Sequence, residues 1–408
     1  MMGNGKENGT LRIGVFGNLG MLNIGNDASL DALLVYLRRE FPEASIDAMC
    51  RGPEVVRANF GIPAIPICWS EYSADRPRVF DLLARVVGKG IDIVRTAAWV
   101  RRHDVVMVPG MGALETSLPV RAWGFPYELF LVSIAGRLFG CKVALVCVGA
   151  TKIRQRAIGW LFNNAARFAY YRSYRDPRSK EMMRQRGIDT TRDRAYTDLV
   201  FSFPVPPEEP VDRRSVCVGV MDYRGTNDDR KVATEIRTAY ITEMVRFVEW
   251  LLDNDRKVRL IIGDANGSDD SVVQEILTRV RSARPELESS RLTAPPIAAF
   301  ADIVEAMRTA NSVVAIRYHN IVASLLLGKP TIALAYALKQ EALMGEFGLE
   351  EFCFPARFFD HAQLIDRFTE LEAQAPAIRQ TVLNHQKVTT ELMQEQFAEL
   401  SGVVKLTR

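Results

Sequence analysis

The residues best suited to chemistry lie in one segment, AIRYHNIVASLLLGKPTIALAYALKQ (315–340). Arg317 and His319 are two positions apart at the carboxyl end of a predicted strand, so strand alternation predicts that both side chains leave on the same side. Lys339 follows the next predicted strand at its own carboxyl end. Arginine can hold a carboxylate or phosphate through two hydrogen bonds, lysine adds a point charge, and histidine exchanges protons near neutral pH. The pattern favours a site for a small polyanion over a surface arginine beside a capping histidine.

A glycine-rich turn after the first predicted strand is a second candidate site. In GNLGMLNIGNDASL (17–30), Gly17, Asn23 and Gly25 stand between a strand and a helix, and Asp27 is expected at or near the helix N-cap. Glycines let the backbone approach a ligand, and the free N–H groups at a helix start suit an anion. The spacing is not G-x-G-x-x-G, so the dinucleotide fingerprint is absent. Turn glycines with an ordinary cap are an equally weighted alternative.

Further candidates follow two other predicted strands. Gly110 and Gly112 put flexible backbone at the rim where α/β sheets bind ligands, although most turns of this kind have no further role. Arg175 ends a strand of the first half of the chain and is expected to face the cations of the second half. The alternative is that Asp176 pairs with Arg175 or caps the next helix.

The elements that must position these residues alternate along the chain. Short β-branched runs and amphipathic stretches follow one another from Leu11 onward, which predicts parallel strands joined by crossover helices. The segment FPVPPEEP (203–210) contains four prolines and predicts a domain boundary. We therefore expect an α/β fold of two doubly wound, Rossmann-like domains that face a central cleft. The predicted parts are an N-terminal domain at 11–203, a C-terminal domain at 211–360, and a helical segment at 361–408 that packs back on the body.

The predicted bounds come from apolar periodicity. Strands are predicted at 11–17, 45–50, 104–110, 142–149, 215–222, 257–263, 312–317 and 331–336. Helices are predicted at 30–41, 177–187, 232–253, 270–283, 298–310 and 320–328, and the stretch 361–400 is predicted to be long, helical and charged.

Composition and charge restrict the partners. The 408 residues include 52 Lys and Arg against 49 Asp and Glu, a formal net charge of +3 that is too balanced to predict nucleic acid as a partner. The six cysteines form no C-x-x-C pair and are expected to be free thiols in a reducing compartment. None of the four histidines has zinc-ligand spacing. We expect neither a metal nor a cofactor.

The predicted location is the cytoplasm. The segment Met1–Thr10 has no apolar core and is not expected to be a signal peptide, and no stretch of about 18 uncharged apolar residues occurs. Arg95, Arg101 and Arg102, near Trp99, are compatible with a weak peripheral membrane association, although a solvated helix face is the favoured interpretation.

Taken in order, these motifs resemble the polysaccharide pyruvyl transferase family. The resemblance runs from about residue 11 to about residue 355, and its specificity lies in the order and spacing of the segments. Two positions depart from the family pattern: Asn26 stands where an acidic residue is more usual, and Met111 stands where a glycine is usual. The segments are NIGNDASL (23–30), VPGMGALE (108–115), YRDPRSKEMMRQRGI (174–188), TDLVF (197–201), RYHNIVASLLLGKPTIALAYALK (317–339) and MGEFGLEEF (344–352).

The resemblance implies a fold of the GT-B type and the transfer of pyruvate from phosphoenolpyruvate to a sugar as a ketal. Arg175, Arg317 and Lys339 would then bind the donor's phosphate and carboxylate, and His319 would be the acid/base residue. Asp27 could serve a sugar hydroxyl. The acceptor is expected to be a lipid-linked or nucleotide-linked sugar of an exopolysaccharide or cell-wall precursor.

Two other functions compete with this hypothesis. A GT-B glycosyltransferase that uses a nucleotide sugar would share the two α/β halves and would need carboxylates placed to hold a ribose, for which GEFGLEE (345–351) is the candidate. A non-catalytic sugar- or nucleotide-binding relative would keep the fold without the reaction. The presence of Arg317, His319 and Lys339 together argues against this last interpretation.

Overall fold

The chain divides into two compact units in a computed structural model that describes residues 10–69, 78–116, 121–207, 209–225, 229–265 and 267–406. The first unit comprises Met1–Met21, Asn26–Phe203 and Glu391–Arg408, and the second comprises Leu22–Gly25 and Pro204–Thr390. The second unit thus begins inside the proline-rich segment and also takes in a short piece of the first glycine-rich turn. Most of the N-terminal segment examined for a signal peptide lies outside the described residues.

The first unit is a parallel sheet with helices between its strands. Among the described residues, seven strands pair in the order β3-β2-β1-β4-β5-β6-β7. Its elements are β1 (Arg12–Gly17), α1 (Ile24–Glu40), β2 (Ser45–Cys50), α2 (Pro53–Phe60), β3 (Ala64–Pro66), α3 (Arg78–Val100), β4 (Val105–Pro109), α4 (Phe125–Phe139), β5 (Lys142–Val148), α5 (Arg156–Phe168), β6 (Tyr171–Tyr174), α6 (Pro177–Gln185) and β7 (Arg194–Ala195).

The second unit repeats the architecture. Its described part has six parallel strands in the order β10-β9-β8-β11-β12-β13. Its elements are β8 (Asp212–Gly219), α7 (Ala233–Asp253), β9 (Lys257–Ile261), α8 (Ser268–Ala283), β10 (Leu292–Thr293), α9 (Phe300–Arg308), β11 (Ala310–Ala315), α10 (Tyr318–Leu326), β12 (Thr331–Ala335), α11 (Leu338–Glu346), β13 (Cys353–Pro355), α12 (His361–Ala373) and α13 (Ala375–Lys405). The last helix begins in the second unit and ends in the first.

The predicted fold class, two doubly wound α/β units, is confirmed. The central strands are buried on both faces, as the β-branched runs predicted; in β4 all five residues are buried. Some predicted bounds are wrong by three residues or more: the first helix begins at Ile24 instead of Leu30, and the strand predicted at 215–222 lies at Asp212–Gly219. The first turn of this helix is IGND, where glycine and asparagine hide the apolar periodicity that marks a helix in sequence.

The helices of the first unit cover both faces of its sheet. The connections through α1 and α2 run from β1 to β2 to β3, whereas α3, α4 and α5 carry the chain the other way, from β3 to β4, β5 and β6. Because parallel crossovers are right-handed, α3, α4 and α5 lie on the face of the sheet opposite α1 and α2. The end of α13 packs beside α1, where Phe397 stacks on Tyr36 with ring centroids 4.2 Å apart.

The helices and the side chains around Trp99 bear on contact with a membrane. No helix within the described residues is long and apolar enough to cross a bilayer. Trp99 itself cannot contact a membrane, because its side chain is buried, packs against His103 and donates a hydrogen bond to Asp47 at 2.6 Å. Arg95 points inward as well and donates to the carbonyl of Pro66 at 2.9 Å.

Candidate functional site

The predicted cations of the second unit lie where two neighbouring strands end and two helices begin. Strands β11 and β12 pair in parallel, so their carboxyl ends share one edge of the sheet. Arg317 is the N-cap residue of α10, His319 is the second residue of that helix, and Lys339 is the second residue of α11. Arg317 and His319 do not lie on a strand as predicted, because β11 ends at Ala315 and His319 is already part of α10.

Arg317 is held by a carboxylate that the sequence argument did not identify. Its Nε and Nη2 donate to the two oxygens of Asp269 at 2.8 and 2.7 Å. Asp269 is fully buried at the start of α8, and Asp264 lies 3.8 Å from Nη1 of the same guanidinium. Burial alone would lower the pKa of Arg317, but the hydrogen bonds and charge of Asp269 outweigh it and raise that pKa. The arginine is therefore a fixed, permanently charged group at this edge.

Lys339 and the start of α11 are also fixed in place. The Lys339 Nζ lies over the ring of Tyr318, 4.9 Å from its centroid. The buried side chain of Gln340 accepts hydrogen bonds from the backbone N–H groups of Tyr336 and Ala337 and donates to the carbonyl of Ile316. Gln340 thus ties the beginning of α11 to the residue just before Arg317, which keeps the two helix N-termini side by side.

The short segment of the glycine-rich turn that belongs to the second unit touches this site. The Ala265 N–H donates to the carbonyl of Leu22 at 3.1 Å. A Cβ atom added to Gly25 would overlap the imidazole of His319. A side chain cannot be accommodated at Gly25 without moving the histidine, so the predicted residues Gly25 and His319 are brought together. Asn23 lies two residues before Gly25, immediately before the first residue of α1.

In the first unit, two predicted turns flank the topological switch point between β1 and β4. Gly17 is the last residue of β1, and a Cβ atom there would lie 2.6 Å from Cε of Met111. Gly110 has φ +50° and donates to the carbonyl of Val146 at 2.7 Å; a Cβ atom on it would lie 2.5 Å from Oγ of Ser29. Met111, where a glycine is usual, takes the left-handed region itself, with φ 49°. Side chains therefore lie close to both glycines at the position where α/β sheets bind ligands.

Asp27 lies near the start of α1, as expected, but inside the helix and not at its N-cap. The helix begins three residues earlier, so Asp27 lies in its first turn, and its Oδ1 accepts a hydrogen bond from the backbone N–H of Gly20 at 2.7 Å. Burial raises the pKa of this carboxyl to about 6, although the Gly20 hydrogen bond lowers it in part. A carboxyl that titrates near neutrality can give and accept protons under physiological conditions.

Replacing Asp27 by asparagine is expected to stabilise the protein most at high pH. Because the folded-state pKa is raised, the parent protein loses stability as pH rises from about 4 through about 6, whereas Asp27→Asn has no such loss and keeps the oxygen that accepts from Gly20. The difference in free energy of unfolding between the two proteins should change by on the order of 3 kcal/mol across this window. Urea unfolding at several pH values measures it, with Glu43→Gln at an exposed site as the control. A pH-independent difference would contradict the assignment.

Arg175 lies in the first unit among carboxylates. It ion-pairs with Glu115 through Nη2, its Nε is 3.6 Å from Asp176, and its Nη1 is 4.0 Å from Asp198. Asp176 also caps α6, since its Oδ1 accepts from the Ser179 N–H at 2.6 Å. Both alternatives weighed for Asp176 are therefore present.

Gly112 and Gly149 leave space for this ion pair. A Cβ atom on Gly112 would lie 2.5 Å from Oε2 of Glu115, and one on Gly149 would overlap Glu115 and lie 2.6 Å from Nη2 of Arg175. Gly112 thus serves the packing of a carboxylate. The donor-binding role of Arg175 stays a prediction.

Sequence reasoning missed the acidic residues that pair with the predicted arginines in each unit. Asp269 belongs to GDANGSDD (263–270), a glycine- and aspartate-rich turn after β9, and this composition at a strand end was an available signal. Glu115 ends the glycine-rich VPGMGALE, and only its ion pair with Arg175 reveals its position.

The glutamates considered for ribose binding lie elsewhere in the second unit. Glu346 ends α11, and Glu350 and Glu351 precede β13. A helix that starts at the carboxyl edge of a parallel sheet ends at the amino edge, so these side chains lie at the edge opposite His319. Within the described residues, no group of three or more His, Cys, Asp or Glu side chains is placed to hold a metal ion.

Solved structures define the class of fold. The chain is similar to a putative UDP-N-acetylglucosamine 2-epimerase from Listeria monocytogenes, with a TM-score of 0.59 at 11% identity over 94% of this chain and 95% of that one. A UDP-GlcNAc 2-epimerase from Neisseria meningitidis gives a TM-score of 0.57 at 11% identity over 95% and 100%. A glycosyltransferase from Rickettsia africae gives 0.54 at 13% identity over 96% and 98%. The fold is the two-domain α/β fold of GT-B-type enzymes.

The sequence also matches a family model. Residues 23–337 match the model of the polysaccharide pyruvyl transferases, and the chain belongs to that family. The matched range begins at Asn23 and ends just after Tyr336, so it includes Arg317 and His319 and stops two residues before Lys339. No curated protein matches the sequence.

Proposed function

We propose that this protein transfers pyruvate from phosphoenolpyruvate to a sugar as a ketal and releases phosphate. Family membership supports the reaction class. The observation that carries the proposal is the pair of neighbouring helix N-termini with Arg317, His319 and Lys339 at one edge of a parallel sheet. Helix N-termini and fixed cations attract anions, and phosphoenolpyruvate carries both a phosphate and a carboxylate.

The three side chains have different duties in this proposal. Lys339 contributes a point charge to the donor's phosphate and, like the start of α11, favours the leaving phosphate as its charge develops. Arg317 shares its charge with Asp269, which fixes the guanidinium in one orientation before the donor binds. His319 transfers a proton to or from the reacting centre. Asp27, with a pKa of about 6, serves a sugar hydroxyl.

The proposed reaction balances without an oxidant or reductant. A proton adds to the methylene carbon of phosphoenolpyruvate, which becomes the methyl group, and one sugar hydroxyl loses its proton as its oxygen bonds to the carbon that bears the phosphate. The bond from that carbon to the phosphate oxygen then breaks, and phosphate leaves. A second hydroxyl of the same sugar adds to the same carbon, loses its proton and closes the ketal ring. The chain's own residues supply the charges and proton transfers that these steps need.

We further propose that the acceptor is a sugar of an exopolysaccharide or cell-wall precursor that is linked to a lipid or a nucleotide. The expectation that neither a metal nor a cofactor takes part remains a prediction. A nucleotide-sugar glycosyltransferase is the weaker candidate, because the glutamates it would use for the ribose lie at the opposite edge of the second sheet from His319.

Lys339→Gln is expected to raise the KM for phosphoenolpyruvate about 10- to 100-fold, the effect of losing one charge-assisted contact to a phosphate. The measurement is phosphate release at varied donor concentration, with an acceptor sugar present. Glu341→Gln is the matched control, since Glu341 is exposed two residues further along the same helix. An unchanged KM in Lys339→Gln would remove this lysine from the donor site, and no phosphate release by the parent protein with any sugar would contradict the proposed function.

A further inference from the structure

One helical layer of the first unit has an unusual outer surface, which we call the α3–α5 face. Helix α3 packs on α4, and α4 packs on α5, on the same side of the first sheet. The face comprises the solvent-exposed side of these helices from Val87 to Phe168, within the described residues 87–116 and 121–168. None of the candidate donor-binding or acid/base residues lies on its exposed side.

Large apolar side chains are exposed to solvent on this face. Trp123 is 69% exposed, Trp160 is 59% exposed and Leu138 is 72% exposed. Val87 and Val94, which are seven residues apart and therefore on one side of α3, are 56% and 68% exposed. Part of this surface is continuous, because Trp160 of α5 packs against Phe130 of α4 with ring centroids 5.3 Å apart.

The charges exposed on this face have one sign. All four acidic residues between Val87 and Phe168 are turned inward or paired with a neighbouring group: Asp92, Asp104, Glu115 and Glu128. The exposed charged residues in the described part of this range are all basic. Arg137, Arg156 and Arg167 lie on α4 and α5, and the others lie in the turns next to the ends of α3, α4 and α5, namely Arg101, Arg102, Arg121, Lys152 and Arg154. The chain as a whole is nearly balanced, so its basic excess is concentrated here.

We propose that the α3–α5 face docks the protein on the surface of an anionic lipid bilayer. Exposed tryptophans and aliphatic side chains enter the boundary between headgroups and acyl chains, and the surrounding arginines and lysines pair with anionic headgroups. A second copy of the chain fits less well, since a two-fold contact would bring the basic groups of both copies together. Nucleic acid would use the arginines but would leave Val94 and Leu138 without a partner. The inference does not depend on the proposed function.

Vesicle flotation tests the docking directly. The full-length protein should float with vesicles that contain about 30 mol% phosphatidylglycerol in phosphatidylcholine, and should stay behind with phosphatidylcholine alone. Arg154→Glu with Arg156→Glu should lower the partition coefficient at least tenfold, since each basic group near an anionic surface contributes a factor of about five. Trp160→Ser should lower it about fivefold at unchanged net charge.

Matched controls separate docking from general effects of charge and hydrophobicity. Arg38→Glu with Arg39→Glu reverses the same number of exposed charges on α1, on the other side of the same sheet, and Phe358→Ser removes a 77% exposed aromatic ring from the second unit. Both should float like the parent protein. Three results would overturn the proposal: no flotation of the parent protein with anionic vesicles, equal loss in the controls, or a concentration-dependent dimer that Trp160→Ser dissociates. Binding to RNA but not to vesicles would assign the face to nucleic acid instead.

Discussion

His319→Ala is expected to lower the turnover of phosphoenolpyruvate about 10²- to 10⁴-fold, the usual contribution of one general acid/base residue. The physical reason is position: His319 is the second residue of α10, at the carboxyl edge of the sheet and next to the permanently charged Arg317. The measurement is the initial rate of phosphate release at saturating donor, with the KM for the donor determined in the same series. The loss should appear mainly in kcat, because the histidine moves a proton while Lys339 contributes the charge that attracts the phosphate.

His385→Ala is the matched control for that loss. His385 is another partly buried histidine of the second unit, on α13, where its ring lies 5.9 Å from that of Phe347. Its removal should leave kcat within about twofold of the parent value, as expected for a residue outside the chemistry. Full activity of His319→Ala would remove the acid/base role from that residue, and an equal loss in both variants would indicate damage to the fold.

Gly25→Ala is expected to lower kcat/KM about 10²-fold, although the change adds a single methyl group. A Cβ atom at this position would overlap the His319 imidazole, so the ring must move from its place. Alanine at a helical position is otherwise favourable by about 1 kcal/mol relative to glycine, so stability need not fall with activity. The comparison is kcat/KM against the thermal midpoint of unfolding.

Gly345→Ala supplies the control for Gly25→Ala. Gly345 lies in α11 of the same unit, and a Cβ atom there meets nothing within 4 Å. Its activity should match that of the parent protein, with equal or higher stability. If Gly25→Ala retained full activity, the close approach of Gly25 to His319 would have no part in catalysis.

The two sheets could be predicted because their strands carry an unmistakable pattern. Strands β4, β5 and β12 are continuous apolar runs that fit only a sheet buried on both faces, and proline-rich 203–210 separates the two series of elements. Short polar strands without such a run, such as β7 and β10, were not predicted. A strand is recognised in a sequence by its length and its apolar residues, and a strand of two residues has too few of either.

The site was predictable in its residue types but not in its pairings. Arg317 and Asp269 are 48 residues apart, and only the adjacent ends of β9, β8 and β11 bring them together. Asp27 was expected at or near the N-cap because the helix was predicted to begin at Leu30, whereas α1 begins at Ile24. Gly25 lies close to His319 because Leu22–Gly25 packs with the second unit. The residues around Gly25 give no indication of this in the sequence.

The most direct test of the central claim is the mass of the acceptor after incubation with phosphoenolpyruvate. A panel of free, nucleotide-linked and lipid-linked sugars is offered to the purified protein, once with phosphoenolpyruvate and once with UDP-sugars. We expect an acceptor that gains the mass of pyruvic acid less one water, in step with the phosphate released, and no reaction with the UDP-sugars. An acceptor that instead gains a sugar residue from a UDP-sugar, with release of UDP, would contradict the claim.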